Sequence, residues 1–357
     1  LEAWIPQDVF SQMHPVMLAL IGFSAVYFLI KGADLLVEGA AGLALRLGIS
    51  QVVIGATIVS LGTTSPEAAV SVMAAFSGNA GLALGNGVGS VIADTALIFG
   101  LGALMAALPA DRSVLSRQGW IQFGSAAALS IFCFVKFFLD GDDAFIGRPV
   151  GVILVVCLVV YIVMSIRWAR KDARALRHEL NEEVAVELRK HEPLWKLSLE
   201  GVIGLTLVIF ASRFVICVAT EGAIRLGISE VVIASTIVAL GTSLPELVVG
   251  LTAVIRGQRE LLVGNIIGAD ILNILFVIGL SATAADLPIV DPTASMPRVF
   301  LYLHLPAMMF ILAVFRGFIF LAVRKGQFSR WMGVPLIAMY IAFIVLNYVL
   351  TGEAPAH

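Results

Sequence analysis

RLGISQVVIGATIVSLGTTSPE runs from Arg46 to Glu67, and RLGISEVVIASTIVALGTSLPE runs from Arg225 to Glu246. The two stretches lie 179 residues apart and share 16 of 22 positions without a gap. The same offset carries Gly85-Asn86 onto Gly264-Asn265, Gly89 onto Gly268, and Gly100-Leu101 onto Gly279-Leu280. A match of this length is a duplicated unit, so the chain is two copies of one design.

The surrounding sequence places both copies in a membrane. Of 357 residues, 59% are apolar and only 13% charged, with a mean hydropathy of +0.99. Soluble domains are roughly 45–50% apolar and carry about twice that charge. Charge-free runs such as Pro149 to Ile166 and Gly333 to Leu350 are long enough to span a bilayer. The apolar runs make the lipid bilayer the expected surroundings, and the net charge of −2 argues only against a nucleic-acid partner. Leu1 to His14 has no basic region ahead of an apolar core, so no cleavable signal peptide is expected. Cys133, Cys157 and Cys217 all lie in apolar stretches and read as small packing residues, not as a disulfide framework.

Ten apolar segments are expected at 15–45, 50–76, 80–108, 120–139, 149–168, 195–226, 230–255, 260–285, 299–320 and 333–350. The expected fold is an all-α membrane protein of ten transmembrane helices, arranged as two inverted-topology five-helix repeats. Inversion follows from counting: five is odd, so the second copy enters the membrane from the opposite face. Equivalent residues then meet near the midplane about a pseudo-two-fold axis, the architecture of alternating access. The expected boundaries are an extracellular N-terminal segment (1–14) and a first repeat (15–168, ion-site repeat 46–104). A cytoplasmic linker (169–194), a second repeat (195–350, ion-site repeat 225–283) and a tail (351–357) follow.

Positive charge orients these spans. One side receives Arg46, Arg112, Arg117, the linker, Arg256, Arg259, Arg324, Lys325 and Arg330. The other receives Arg148, Arg225 and Arg298 with the acidic Asp140, Asp142 and Asp143. Both termini are therefore expected outside and the linker in the cytoplasm.

Glu67 and Glu246 interrupt otherwise apolar spans, with no Lys or Arg in the adjacent helical turns. A buried carboxylate costs several kcal/mol in a bilayer unless hydrated, paired or ligated, which makes it a functional candidate. Each follows a proline (Pro66, Pro245), which removes a backbone donor and frees the carbonyl of Gly62 or Gly241. Broken helices at both prolines are therefore expected. Thr63 and Thr242 lie four residues before the glutamates, on the same helical face, with Thr64 and Ser243 beside them.

In the next span, Asn86, Ser90 and Asp94 form a stripe at spacing four, and Asn265, Ala269 and Asn273 form its counterpart. Asp270 lies off that stripe. Carboxylate, amide, hydroxyl and carbonyl oxygens, with no His or Cys, favour hard cations such as Ca²⁺ or Na⁺. Asp34, Glu38 and His304 are expected to be interfacial or packed rather than ligating.

At these residues the sequence resembles the calcium/cation antiporter superfamily, and within it the sodium/calcium exchangers. The match is carried by LGTTSPE (Leu61 to Glu67), LGTSLPE (Leu240 to Glu246), GNGVGSVIAD and GNIIGADILN, which look like the two α-repeats of that family. The resemblance implies exchange of several Na⁺ for one Ca²⁺, with ion sites on helices two, three, seven and eight. Carried over by motif, Glu67 and Glu246 match the calcium-ligating pair, and Thr63, Thr64, Thr242 and Ser243 match the ligands beside them. Ser90, Asp94 and Asn273 match the ligands completing the site, with Asn86, Asn265 and Asp270 as weaker candidates.

The chain departs from the family pattern at Thr64-Ser65, at Ala269 where serine is expected, and in carrying the acid of the Asp94/Asn273 pair in the first repeat. Calcium and sodium are transported ions, and no cofactor is expected. A proton/calcium (or other divalent cation) antiporter is the alternative. With neither an HExxH nor a GxSxG motif, a membrane-embedded enzyme is not expected. Short loops point to a prokaryotic cytoplasmic membrane.

Overall fold

The computed structural model describes residues 8–78, 80–179, 193–226, 239–290 and 297–351. Among them, eight helices are long and apolar enough to cross a membrane. These are Pro15–Leu47, Gly81–Met105, Val114–Asp143, Arg148–Ala169, Leu194–Arg225, Arg259–Ala284, Phe300–Lys325 and Arg330–Leu350. The chain is an all-α, largely membrane-spanning protein.

The two remaining expected segments take other forms. Segment 50–76 is a helical run in three pieces: Gln51–Ile54, a π-helical stretch Gly55–Val59, and Ser60–Phe76. Of segment 230–255, the helices Ala239–Thr242 and Leu244–Ile255 are described, and residues 230–238 lie outside the described residues. The helix from Arg148 reaches Glu179, well past the expected boundary at 168. Residues 180–192 of the expected linker, residues 1–7 and the tail from 352 lie outside the described residues.

Local chemistry sets the helix ends. Pro15 opens the first long helix, where its missing N–H is no loss, and His14 caps it by accepting from Val16 N at 3.3 Å. Gly48 closes it in the left-handed region (φ 68°), its N–H reaching back to Ala44 and Leu45 carbonyls. Two residues later the Ser50 hydroxyl caps the next helix by accepting from Val52 N at 3.2 Å. RLGIS is thus a stop followed by a start, and its second copy ends among the residues not described.

The chain divides into two compact units, each drawing on both repeats. The first comprises Leu1–Pro66 and Val163–Asn265. Its frame is the pair Pro15–Leu47 and Leu194–Arg225, packed backbone to backbone through glycines. A Cβ on Gly39 would lie 2.7 Å from Gly201 N, and one on Gly204 would lie 2.4 Å from Leu36 N. Small residues of this kind let membrane helices approach closely. Leu36, Val37, Ala40, Val208, Ala211, Val249 and Ala253 fill the core around them.

At one end of this frame Arg225 pairs with Glu221 at 2.7 Å and donates to the carbonyls of Phe10, Ser11 and Met13, tying down the short helix Asp8–Ser11. Arg256 pairs with Asp34 at 2.8 Å and with Glu38 at 3.6 Å. Those two acids are therefore ion-paired.

The second unit comprises Glu67–Ile162 and Ile266–His357. It contains two antiparallel two-residue pairings. Leu108–Pro109 pairs with Gln327–Phe328, and Phe145–Ile146 pairs with Leu287–Pro288. Each repeat's Leu-Pro therefore pairs with a strand from the other repeat. The same exchange recurs among glycines: a Cβ on Gly333 would meet Gly100 O, and one on Gly151 would meet Gly279 O at 2.8 Å. Phe99, Phe315 and Phe328 cluster edge-on and stacked in its core. His304 is packed, bonded to Asn347 at 2.9 Å.

Burial separates the helices by role. Gly81–Met105 and Arg259–Ala284 are 72% and 94% buried over their apolar windows, against 22–39% for the other six. Those six expose large apolar side chains such as Phe23, Phe138, Trp195 and Phe310. With the bilayer as solvent this is the stable arrangement, and the enclosed helices are the ones carrying Asp94, Asp270 and Asn273.

Candidate ion-binding site

Two contacts join candidate ligands directly, one within each unit. In the first, Thr63, Thr64 and Glu246 are all buried, and the Thr64 hydroxyl donates to Glu246 Oε1 at 3.2 Å. Thr63 donates to the Ser60 carbonyl at 3.3 Å. The backbone before Glu246 is interrupted as expected. Ser243 sits at φ −89°, ψ 11°, between the helices Ala239–Thr242 and Leu244–Ile255. That is the sparsely allowed bridge region, common at functional sites. Pro245 starts the second helix and places Glu246 in its first turn, where the helix dipole favours a negative charge.

The first repeat departs from that expectation. Pro66 lies inside an unbroken helix, Ser60–Phe76, and the irregularity is displaced upstream to the π-helical stretch Gly55–Val59. A π-turn shifts the carbonyl register by one residue, and here it lies one turn or more ahead of Gly62, the carbonyl that Pro66 leaves without its donor.

In the second unit, Glu67, Ser90, Asp94 and Asn273 are all buried. Asn273 Nδ2 donates to Asp94 Oδ2 at 3.3 Å. These two residues occupy equivalent positions of the two repeats, 179 apart, and they touch directly. Both sit in π-helical turns, Ala93–Ile98 and Asn273–Ile278. Such turns were not legible in the sequence, and they recur at functional sites because they leave backbone carbonyls without regular partners.

The weaker candidates separate. Asn86 donates to Ser71 at 2.9 Å. The counterpart of Ser71 is Gly250, and the counterpart amide, Asn265, is buried with neither its nitrogen nor its oxygen hydrogen-bonded among the described residues. Asp270 accepts from Thr95 and Gln122 instead of from another candidate ligand. Thr95 and Gln122 were missed in the sequence. The available signal was a run of polar residues (Gln118, Gln122, Ser125) at helical spacing in an otherwise apolar span.

Enclosed carboxylates supported by amides and hydroxyls, on the most buried helices of a many-span membrane protein, define a secondary transporter for small cations. The family of the sodium/calcium exchanger protein matches residues 17–167 and 201–349. The chain belongs to that family, and it is an integral membrane transporter rather than an enzyme.

Among relatives, it is 30% identical over 322 residues to the putative antiporter CaxA of Alkalimonas amylolytica, covering 90% of this chain and 95% of that protein. It is 28% identical over 353 residues to the sodium/calcium exchanger MaX1 of Methanosarcina acetivorans, covering 92% and 98%. Among solved structures, the sodium-calcium exchanger NCX_Mj soaked with zero Na⁺ and Ca²⁺ superimposes with a TM-score of 0.74 at 25% identity, covering 93% and 99% of the two chains.

Proposed function

We infer that this protein is a secondary active antiporter exchanging Na⁺ for Ca²⁺ across the membrane by alternating access. Family membership over both repeats carries that reading. The site assignment is our proposal: Glu67 and Glu246 bind Ca²⁺, with hydroxyls and carbonyls of Thr63, Thr64, Thr242 and Ser243 completing its shell. Na⁺ occupies overlapping positions that use Thr63, Ser90, Asp94, Thr242 and Asn273. Sharing of ligands makes the two ions exclude one another, and that exclusion couples their fluxes. The direct bond between Asp94 and Asn273 supports this most strongly, because it brings an acid and an amide from both repeats to one point.

Ten spans in two inverted five-helix repeats, with both termini outside and the linker in the cytoplasm, complete the proposal. Reciprocal contacts support it. A two-fold axis turns every contact between residue i and residue j of the repeats into its mirror partner. The paired Leu-Pro strands, the Gly100–Gly333 and Gly279–Gly151 approaches, and the Gly22–Val218 and Gly39–Gly201 approaches all occur in such couples. Equivalent residues touch each other only on the axis itself, which is where Asp94 and Asn273 would lie.

The test is calcium uptake into proteoliposomes driven by a sodium gradient, with pH clamped on both sides. Sodium-driven uptake is expected, and Glu67→Gln or Glu246→Gln is expected to abolish it in correctly folded protein. Uptake that ignored sodium and followed a pH gradient would establish the proton-driven alternative.

A further inference from the structure

Ion exchange as described leaves one enclosed acid unused. Asp270 has no exposed surface, and its Oδ2 accepts hydrogen bonds from both the Thr95 hydroxyl and the Gln122 amide. Oδ1 has no hydrogen-bond partner, and no Lys, Arg or His among the described residues pairs with the carboxyl. Thr95 and Gln122 are themselves buried. Three elements of the second unit thus converge on one carboxyl group.

The other repeat shows that packing does not require it. At the offset of 179, the counterpart of Asp270 is Val91 and that of Thr95 is Ile274. The fold fills the equivalent place with apolar side chains, and a polar cluster here is an addition to the symmetric design.

An ionised carboxylate with only two neutral donors is costly in a bilayer interior. Two ligands of Oδ1 would relieve it, a metal ion or a proton. A metal ion needs several oxygens around it, whereas Gln122 presents an N–H to the carboxyl, the polarity that suits an anion or a carboxyl oxygen. A proton needs no added volume and no further ligands. We propose that Asp270 is a proton-binding site, held by Thr95 and Gln122, whose occupancy tunes cation binding at the neighbouring Asp94–Asn273 pair.

The two clusters share their helices. Thr95 follows Asp94 directly, and Asp270 precedes Asn273 by three residues, one helical turn. Binding forms one O–H bond on Oδ1 with a proton taken from water, and release returns it, so the local charge changes by one. Among the described residues, the titratable groups beside this cluster are Asp94 and, within electrostatic reach of Asp94, Tyr340 of the last helix. The Val114–Asp143 span contributes the neutral Gln122. An ionised Asp270 draws cations toward Asp94, so sodium affinity at that pair rises as the proton leaves.

The proposal rests on the exchanger reading only in naming the pair that is tuned, and the test has two separate readouts. Infrared difference spectroscopy of the full chain in lipid is expected to show a protonated-carboxyl C=O band that is lost in Asp270→Asn and kept in Asp94→Asn. In sodium-driven calcium uptake, the half-saturating sodium concentration is expected to fall by about tenfold from pH 6 to pH 9, and by less than about twofold in Asp270→Asn. Thr95→Val and Gln122→Leu remove donors that favour the ionised form. Both are expected to move the titration of band and transport to higher pH, and they test the site even if Asp270→Asn does not fold.

A band and a pH dependence unchanged in Asp270→Asn, or unchanged titration in both donor variants, would overturn the proposal. So would absence of the band combined with fewer sodium ions exchanged per calcium in Asp270→Asn, which would make Asp270 a cation ligand. Wild-type protein lacking sodium-driven uptake, with the band still lost in Asp270→Asn, would sink the exchanger reading and leave the proton site standing.

Discussion

Gly39→Ala and Gly201→Ala should have opposite effects, although the two glycines face each other across one helix pair. A Cβ on Gly39 would lie 2.7 Å from Gly201 N and 2.8 Å from the Leu197 carbonyl, both rigid backbone atoms. Ordinary contact begins near 3.4 Å, so the helices Pro15–Leu47 and Leu194–Arg225 must part by about 0.7 Å. A gap of that size along the seam forfeits about a quarter to a half of each contact's dispersion attraction. Overpacking of this kind costs about 1–3 kcal/mol, which corresponds to a fall of about 1–4 °C in the thermal midpoint.

A Cβ on Gly201 meets nothing within 4 Å, and alanine is the better helix former by about 1 kcal/mol. Gly201→Ala is therefore expected to leave the midpoint unchanged or raise it. Midpoints followed by intrinsic fluorescence in one detergent, with sodium-driven calcium uptake on the same preparations, make the comparison. Equal losses in the two variants, or none in Gly39→Ala, would refute the claim that this seam is held by backbone contact. If these helices also slide during transport, Gly39→Ala slows uptake while Gly201→Ala does not.

Thr64→Val removes the hydroxyl that donates to Glu246 Oε1 at 3.2 Å, leaving a buried acceptor short of a donor at a cost of about 1–3 kcal/mol. The half-saturating calcium concentration for uptake is expected to rise by about tenfold, and an unchanged value would exclude Thr64 as a support of Glu246. Asp94→Asn alone should lower exchange by about tenfold or more by deleting a charge. Adding Asn273→Asp restores that charge across the same 3.3 Å contact, so the double variant is expected to recover to within about threefold of wild type. A double variant no better than the single one would show that the two positions do not share an ion.

Chain pattern and three-dimensional packing divide the credit for this protein in a physically sensible way. The duplication, the apolar spans and the isolated acids are properties of one stretch of chain at a time. A helix in lipid must be apolar along its length, so Glu67, Asp94 and Glu246 stand out against their own neighbours without any knowledge of what they face. The RLGIS stop-and-start is equally local, since a left-handed glycine and a capping serine act within one turn. The break at Ser243 was legible for the same reason, through Pro245 two residues on.

The continuity of the helix through Pro66 was not legible, because a proline's local effect is to break a helix, and neither was the π-turn upstream, which no residue type demands. Nor were the contacts that give each polar side chain its role. Asp270, off the stripe in sequence, reaches Thr95 and Gln122, 175 and 148 residues away. Asn86 finds Ser71, while its counterpart Asn265, with Gly250 standing where Ser71 has its counterpart, makes no such bond among the described residues. Periodicity fixes which face of a helix a residue occupies, but only the packing of one helix on another decides what that face meets. In a bilayer, where water cannot stand in for a missing partner, that meeting decides whether an acid is a strut, a proton site or an ion ligand.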